Sequence, residues 1–252
     1  MPERPTALIT GGAKRVGRAV ALRLADAGFD LIVTYRRSRD EAESMAREAR
    51  GLGASCVLVQ ADFAEPEAGA AAVADAVDRA GVPLRVLVHN ASIFGDKPLA
   101  EIDGDHARRM FCVNALAPLL LTRRLAARLA EGFDPDRPET AGRVVAFGDI
   151  HVMHRPMAGY TAYAMSKAAV LQMVESLAVE LAPAVTVNAI APGVVAWAAE
   201  LDEQHRRAYL ARTPLDRAGT PDDAAEAAAF LVTQAHYTTG QVLRVDGGRW
   251  LT

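Results

Sequence analysis

The strongest constraint in this sequence is the alternation of short, continuously apolar runs with longer alanine-rich stretches. Ala7-Leu8-Ile9, Leu31-Ile32-Val33-Thr34-Tyr35, Val57-Leu58-Val59, Val86-Leu87-Val88 and Val144-Val145-Ala146-Phe147 read as strands, followed by Val185–Ile190 and Val242-Leu243-Arg244-Val245. Val16–Ala27, Asp40–Leu52, Glu67–Ala80 and Ala168–Leu181 read as helices between them. A strand that is apolar on both faces needs cover on both, which a parallel sheet between two helical layers provides. The alternation, with right-handed crossovers, predicts an α/β fold: a doubly wound parallel sheet of about seven strands with helices on both faces.

With 252 residues, 51% of them hydrophobic, the chain has material for one large core, and we read residues 1–252 as a single domain. No repeat or linker interrupts it, and Gly132–Gly142, with Pro135 and Pro138, reads as a surface loop. A formal net charge of −3 gives no basis for a nucleic-acid or membrane partner. Cys56 and Cys112 lie far apart and form no Cys-x-x-Cys, so neither a metal nor a disulfide is expected. The N-terminus lacks a signal-peptide core, and no apolar run approaches the ~20 residues of a membrane span. The expected setting is cytoplasmic.

After the first strand comes Thr10-Gly11-Gly12-Ala13-Lys14-Arg15-Val16-Gly17, opening the first helix. A glycine-rich turn in that position offers backbone N–H groups and a helix dipole to a phosphate. The alternative reading is a plain strand-to-helix connection. The second strand ends Tyr35-Arg36-Arg37-Ser38-Arg39, with no acid before Asp40. An acid at that point would suit a ribose hydroxyl, whereas guanidinium groups and a hydroxyl suit a 2′-phosphate. With Lys14 and Arg15 nearby, the pattern favours NADPH over NADH.

Tyr163 and Lys167 stand four apart in a helical stretch and so share one face. An unperturbed phenol, with a pKa near ~10, is a poor acid–base catalyst at neutral pH, and a neighbouring ammonium would lower that value. Upstream, Asp149 follows the fifth strand, and no Ser or Thr occurs between Thr140 and Thr161. A carboxylate there would repel a ketone oxygen. It becomes sensible if the substrate presents N–H groups, or if burial keeps the acid protonated as a donor. Otherwise Asp149 is a turn residue. His151 and His154 read as loop or pocket-wall residues, and Phe94 as either a core aromatic or part of a binding wall.

The order of these segments resembles the short-chain dehydrogenase/reductases along nearly the whole chain. The turn is similar to that family's Thr-Gly-x-x-x-Gly-x-Gly, with Arg15 where the middle glycine usually stands. His89-Asn90-Ala91-Ser92 is similar to its Asn-Asn-Ala-Gly, and Asn114, Tyr163/Lys167, Pro192-Gly193 and Val245-Asp246-Gly247-Gly248 follow in order. The resemblance implies a Rossmann-type fold with Gly11, Lys14, Arg15, Val16, Tyr35, Arg36, Arg37, Ser38, Asp62, Asn90, Ala91, Ser92, Tyr163, Lys167, Pro192 and Gly193 around the cofactor. It also implies that Asn114 holds a water near Lys167, that residues 194–214 form a substrate lid containing Trp197, and that Phe111–Leu129 and Ala162–Leu181 assemble a homotetramer.

Within the family, Gly-Gly-Ala-Lys-Arg, Tyr-Arg-Arg-Ser, Asn-Ala-Ser-Ile-Phe and Asp149 in place of serine look like the pteridine reductases, including those acting on dihydromonapterin and dihydrofolate. That likeness implies a pterin or related heterocycle held by Arg15, Ser92, Phe94, Asp149, Tyr163 and Trp197, with Asn114, Asp149, Tyr163 and Lys167 as the catalytic set. Asp149, fourteen positions before Tyr163, is one residue out of the family's register. The expected activity is NADPH-dependent reduction of a C=N bond in a dihydropterin. The alternatives are a carbonyl or 3-oxoacyl reductase and a non-catalytic NADP(H)-binding sensor.

Overall fold

A computed structural model describes residues 4–154, 156–197 and 202–252, the side chain of His154 excepted. Seven strands form one parallel sheet in the order β3-β2-β1-β4-β5-β6-β7. They are β1 Thr6–Ile9, β2 Asp30–Tyr35, β3 Cys56–Gln60, β4 Leu84–His89, β5 Gly142–Phe147, β6 Val185–Pro192 and β7 Val242–Val245. Each apolar run singled out above lies within one of them. The helices are α1 Arg15–Asp26, α2 Arg39–Gly51, α3 Pro66–Ala80, α4 Gly104–Phe111, α5 Ala117–Ala130, α6 His151–His154, α7 Thr161–Glu180, α8 Glu203–Leu210 and α9 Pro221–Thr233.

Successive side chains of a strand point to opposite faces, and the core divides accordingly. Leu8, Ile32, Leu87, Val144 and Val187 pack with residues of α3, α5 and α7, while Ala7, Ile9, Val33, Val86, Val88 and Val145 pack with α1, α2 and α9. The register puts Leu8 beside both Ile32 and Leu87, so each face carries an unbroken apolar row. The sheet order reverses between β1 and β4, which opens a crevice at the carboxyl ends of the strands, where ligands bind in such sheets.

α4 and α5 belong to one continuous helix, Gly104–Ala130, long and apolar enough by length and composition to cross a membrane. Here it packs against α3, α7 and β4. Its middle, Cys112–Leu116, is wound as a π-helix carrying Asn114. The 132–142 segment is a surface turn with a short 3₁₀ element, Pro138–Thr140. Of the lid expected at 194–214, residues 198–201 lie outside the described residues, and α8 forms its central part.

Candidate active site

The turn between β1 and α1 is braced against the end of β4 by a small polar network. Thr10 Oγ1 accepts from the backbone N–H groups of Asn90 and Ala91, both at 3.0 Å. Asn90 Nδ2 donates to the carbonyls of Thr10 and Gly11, also at 3.0 Å. Gly17 must be glycine at this contact: a Cβ would come within 2.4 Å of Asn90 Nδ2 and of the Gly11 carbonyl. Asn90 and Gly17 therefore fix how closely α1 approaches the end of β4, where Ala91 follows.

α1 begins without a side-chain cap and has no acid in its first turn. Its first N–H groups, including that of Val16, point where a phosphate would sit. Arg15 keeps a left-handed φ of 51°, a conformation that favours glycine, at a cost of about 1 kcal/mol. Its guanidinium does not lie along the turn. It donates to the carbonyls of Ala196 (2.9 Å) and Trp197 (3.4 Å), tying the turn to the start of the lid.

Lys14 pairs with Glu41 at 2.5 Å. Among the described residues, Arg36 and Arg37 have no carboxylate partner, and the Ser38 hydroxyl does not cap α2. Tyr35 is buried under the turn against Ala13 and Ala42. Asp62 follows β3, exposed, and accepts from the Ala64 N–H. Pro192 and Gly193 close the far side, where a Cβ on Gly193 would meet the Tyr209 hydroxyl at 2.9 Å. Two unpaired guanidinium groups, a free hydroxyl and an uncapped helix terminus fit a dinucleotide with a phosphorylated ribose.

Asn114 is fully engaged. Its Oδ1 accepts from the Ile93 N–H (2.8 Å) and the Ser92 hydroxyl (3.1 Å), and its Nδ2 donates to the Ile93 carbonyl and Ser166 Oγ. The π-turn thus anchors the segment after β4. The side chain of Asn114, expected to help hold a water near Lys167, bonds Ser92, Ile93 and Ser166, the residue next to Lys167. Ser92 reaches Asn114, and Phe94, 56% exposed, is a wall residue and not a core one. Phe94 stacks on Tyr160 and meets Tyr163 edge-on, each with ring centroids 4.9 Å apart. Trp197, named as a substrate contact, packs edgewise on Tyr209 at 5.6 Å.

At the centre, the Tyr163 hydroxyl donates to Asp149 Oδ2 at 2.7 Å. Asp149 Oδ1 accepts from both the backbone N–H and Nδ1 of His151, each at 2.8 Å. The extra residue in the register does not displace Asp149 from the tyrosine. One turn along α7, Lys167 Nζ donates to the Phe147 carbonyl at 2.7 Å.

Burial would raise the Asp149 pKa, but the hydrogen bonds and charge of His151, with the Tyr163 hydroxyl, hold it below the usual carboxylate range. Asp149 is therefore an ionised acceptor and not the protonated donor considered above. Burial, then the charge of Asp149 and its hydrogen bond, push the Tyr163 phenol well above its ordinary value. This is opposite to the lowering expected from Lys167, whose own pKa burial depresses to about 8 despite the opposing pull of Asp149. The site holds a protonated phenol against a carboxylate.

Sequence reasoning missed His151 as the partner of Asp149. The signal was available, because an Asp often bonds the N–H two residues on. It also missed Tyr160 beneath Phe94, Ser166 beneath Asn114 and the Tyr209 hydroxyl that accepts from the Val194 N–H, none of which has a local signature.

The family described as enoyl-(acyl carrier protein) reductase matches residues 11–249. An uncharacterized oxidoreductase of Methylorubrum extorquens is 32% identical over 253 residues, covering 98% of each chain. A 3-oxoacyl-[acyl-carrier-protein] reductase of Staphylococcus aureus is 30% identical over 259 residues, again 98% of each. Among solved structures, a short-chain dehydrogenase from Burkholderia cenocepacia in complex with NADP superposes with a TM-score of 0.87, at 34% identity over 98% of each chain. The glycine-rich turn braced by Asn90, the Tyr163/Lys167 pair on α7 and these full-length likenesses agree: the chain belongs to the short-chain dehydrogenase/reductase family.

Proposed function

We infer that the protein is an NADPH-dependent reductase of a small carbonyl compound, of the ketone or 3-oxoacyl type. The observation that carries the reading is the protonated Tyr163 hydroxyl at the carboxyl end of the sheet, beside an exposed aromatic wall. The 3-oxoacyl reductase relative and the NADP-bound structure support the substrate class and the cofactor. When bound, the dinucleotide supplies the hydride. Arg36, Arg37 and Ser38 would hold its 2′-phosphate, and the start of α1 its pyrophosphate. Tyr163 would give its proton to the substrate heteroatom, and Lys167 would steady the charge left on the phenol oxygen. Val194–Trp197 and α8 would close over the substrate, drawn to the turn by Arg15. Exposed Leu116, Leu119, Met165 and Val179 support self-association through α5 and α7.

A second reading, reduction of a C=N bond in a dihydropterin, is favoured by one observation. Asp149 presents an ionised acceptor where a carbonyl oxygen would prefer a donor, and the exposed Phe94 ring could stack on a flat heterocycle. NADPH oxidation by the purified protein decides between them, with simple ketones and 3-oxoacyl thioesters in one panel and dihydrobiopterin and dihydrofolate in the other. Turnover of the carbonyl panel is expected; turnover of the pterins alone would overturn the first reading. Oxidation of neither would leave an NADP(H)-binding sensor.

A further inference from the structure

We propose that His151 is a positioning residue for proton delivery by Tyr163. It holds Asp149 against the tyrosine hydroxyl and, when it carries a second proton, offsets the negative charge that Tyr163 acquires on giving its own proton away. The proposal rests on the reductase reading above.

Two donors of one residue converge on Asp149 Oδ1: the backbone N–H of His151 and its ring Nδ1, both at 2.8 Å. The backbone bond alone satisfies the turn, so the ring bond is additional to what the local fold needs. The other carboxylate oxygen accepts from Tyr163 at 2.7 Å, completing a tyrosine–aspartate–histidine chain from α7 to the start of α6. The carboxylate and the imidazole are each more than four-fifths buried, which weakens solvent screening between them.

Among the described residues, the titratable groups acting on this carboxylate are His151, Tyr163 and Lys167 of α7, and Tyr209 of α8. Lys167 is committed to the Phe147 carbonyl, so among the described residues the nitrogen placed directly on Asp149 is Nδ1 of His151.

When bound, the reduced dinucleotide would supply the hydride that adds to the substrate carbon. The opened π bond leaves its electron pair on the heteroatom, and the Tyr163 O–H bond breaks to protonate it. A phenolate then faces a carboxylate across a hydrogen-bond distance, two like charges that disfavour each other. An imidazolium on the far oxygen reduces that penalty. Once product leaves, the phenolate regains its proton from water. The benefit is present only while the ring carries that second proton, and it is lost when rising pH removes it.

The test is kcat against pH from about 5 to 8 for the wild type, His151→Asn and His151→Ala, using whichever carbonyl or pterin the wild type turns over. The asparagine amide replaces Nδ1 as a neutral donor; alanine removes the donor altogether. We expect His151→Asn to keep KM and NADPH affinity within about twofold, and to lose about tenfold in kcat at the acid end. Its profile should be flat where the wild type declines, and His151→Ala should fall further. Wild-type kcat and slope in both variants would overturn the proposal, as would a lowered kcat with an unchanged slope, the mark of a merely structural role. If His151→Ala fails to fold, His151→Asn, which keeps the backbone bond and a neutral side-chain donor, decides alone. A wild type inactive on both panels would overturn the reductase reading and this inference with it; an active wild type with unaffected variants would overturn only this one.

Discussion

His89 makes the fold acid-sensitive to a degree that can be worked out. It lies at the end of β4, fully buried, with Nε2 2.7 Å from Thr122 Oγ1. The Thr122 hydroxyl donates to the Pro118 carbonyl at 2.9 Å, so Nε2 is the donor to Thr122 and Nδ1 is the unprotonated nitrogen. The space beside it is lined by Phe63, Ala91, Val113, Ala117, Pro118, Leu121 and Thr10, none of which carries a charge. Burial accordingly lowers the His89 pKa from 6.5 to about 3.

The folded state therefore resists a proton that the unfolded chain accepts freely. Stability is fully present above the unfolded value and is lost as pH falls from about 6.5 toward 3. At about 1.4 kcal/mol per pH unit, the loss is about 2 kcal/mol by pH 5, a sizeable part of a typical 5–15 kcal/mol. His89→Gln keeps a neutral donor near the Nε2 position and removes the titration. Urea unfolding of both proteins at pH 7 and pH 5 should show the wild type losing about 2 kcal/mol more than the variant. Other titrating groups contribute to both and cancel in the comparison. Equal losses would mean that His89 is already charged in the fold, or that water reaches it, and would refute the argument.

Two further expectations concern the proposed site. Replacing both Arg36 and Arg37 by Ala removes two charge-assisted phosphate contacts, which should weaken NADPH by about tenfold to a hundredfold while leaving NADH almost unchanged; equal losses for both nucleotides would place the 2′-phosphate elsewhere. Tyr163→Phe should abolish NADPH oxidation and leave NADPH binding, followed by fluorescence titration, within about threefold; retained turnover would remove Tyr163 from the chemistry.

The five inner strands were readable because burial on both faces leaves continuous apolar runs, and the partly exposed edge strands β3 and β7 kept enough of the same pattern to be read with them. β5 is buried at all six positions, Gly142 to Phe147, and is apolar there but for Arg143. The nucleotide turn was readable because close backbone approach restricts residue choice: Gly17 has no room for a Cβ. The electrostatics of the site were not. Sequence shows Lys167 one helical turn from Tyr163, whereas the acidity of the phenol is set by burial and by Asp149, fourteen residues away and delivered through the bend that His151 closes. Phe94 was ambiguous for the same reason: an aromatic after a strand has one composition whether it lines a cleft or fills a core, and only its 56% exposure decides. The π-turn at Asn114 follows from tertiary bonds to Ser92, Ile93 and Ser166, which no local pattern encodes.

The protonated phenol and ionised carboxylate also bear on direction and substrate. A tyrosine kept as phenolate is ready to take a proton from an alcohol; Tyr163 carries the proton that reduction needs, although burial and Asp149 hold it more tightly than in a free phenol. Its single hydroxyl proton is bonded to Asp149, however, and a carbonyl oxygen offers Asp149 no hydrogen in exchange. To accept from Tyr163, such a substrate must break a hydrogen bond to a charged group, at a cost of about 1.5–3 kcal/mol. A serine at this position would donate to the same oxygen instead. Asp149→Ser should therefore improve kcat/KM for ketones by about tenfold or more, and should lower it for any substrate that presents an N–H to the carboxylate. A variant that loses activity on ketones as heavily as on pterins would show that Asp149 orients Tyr163 and does not face the substrate.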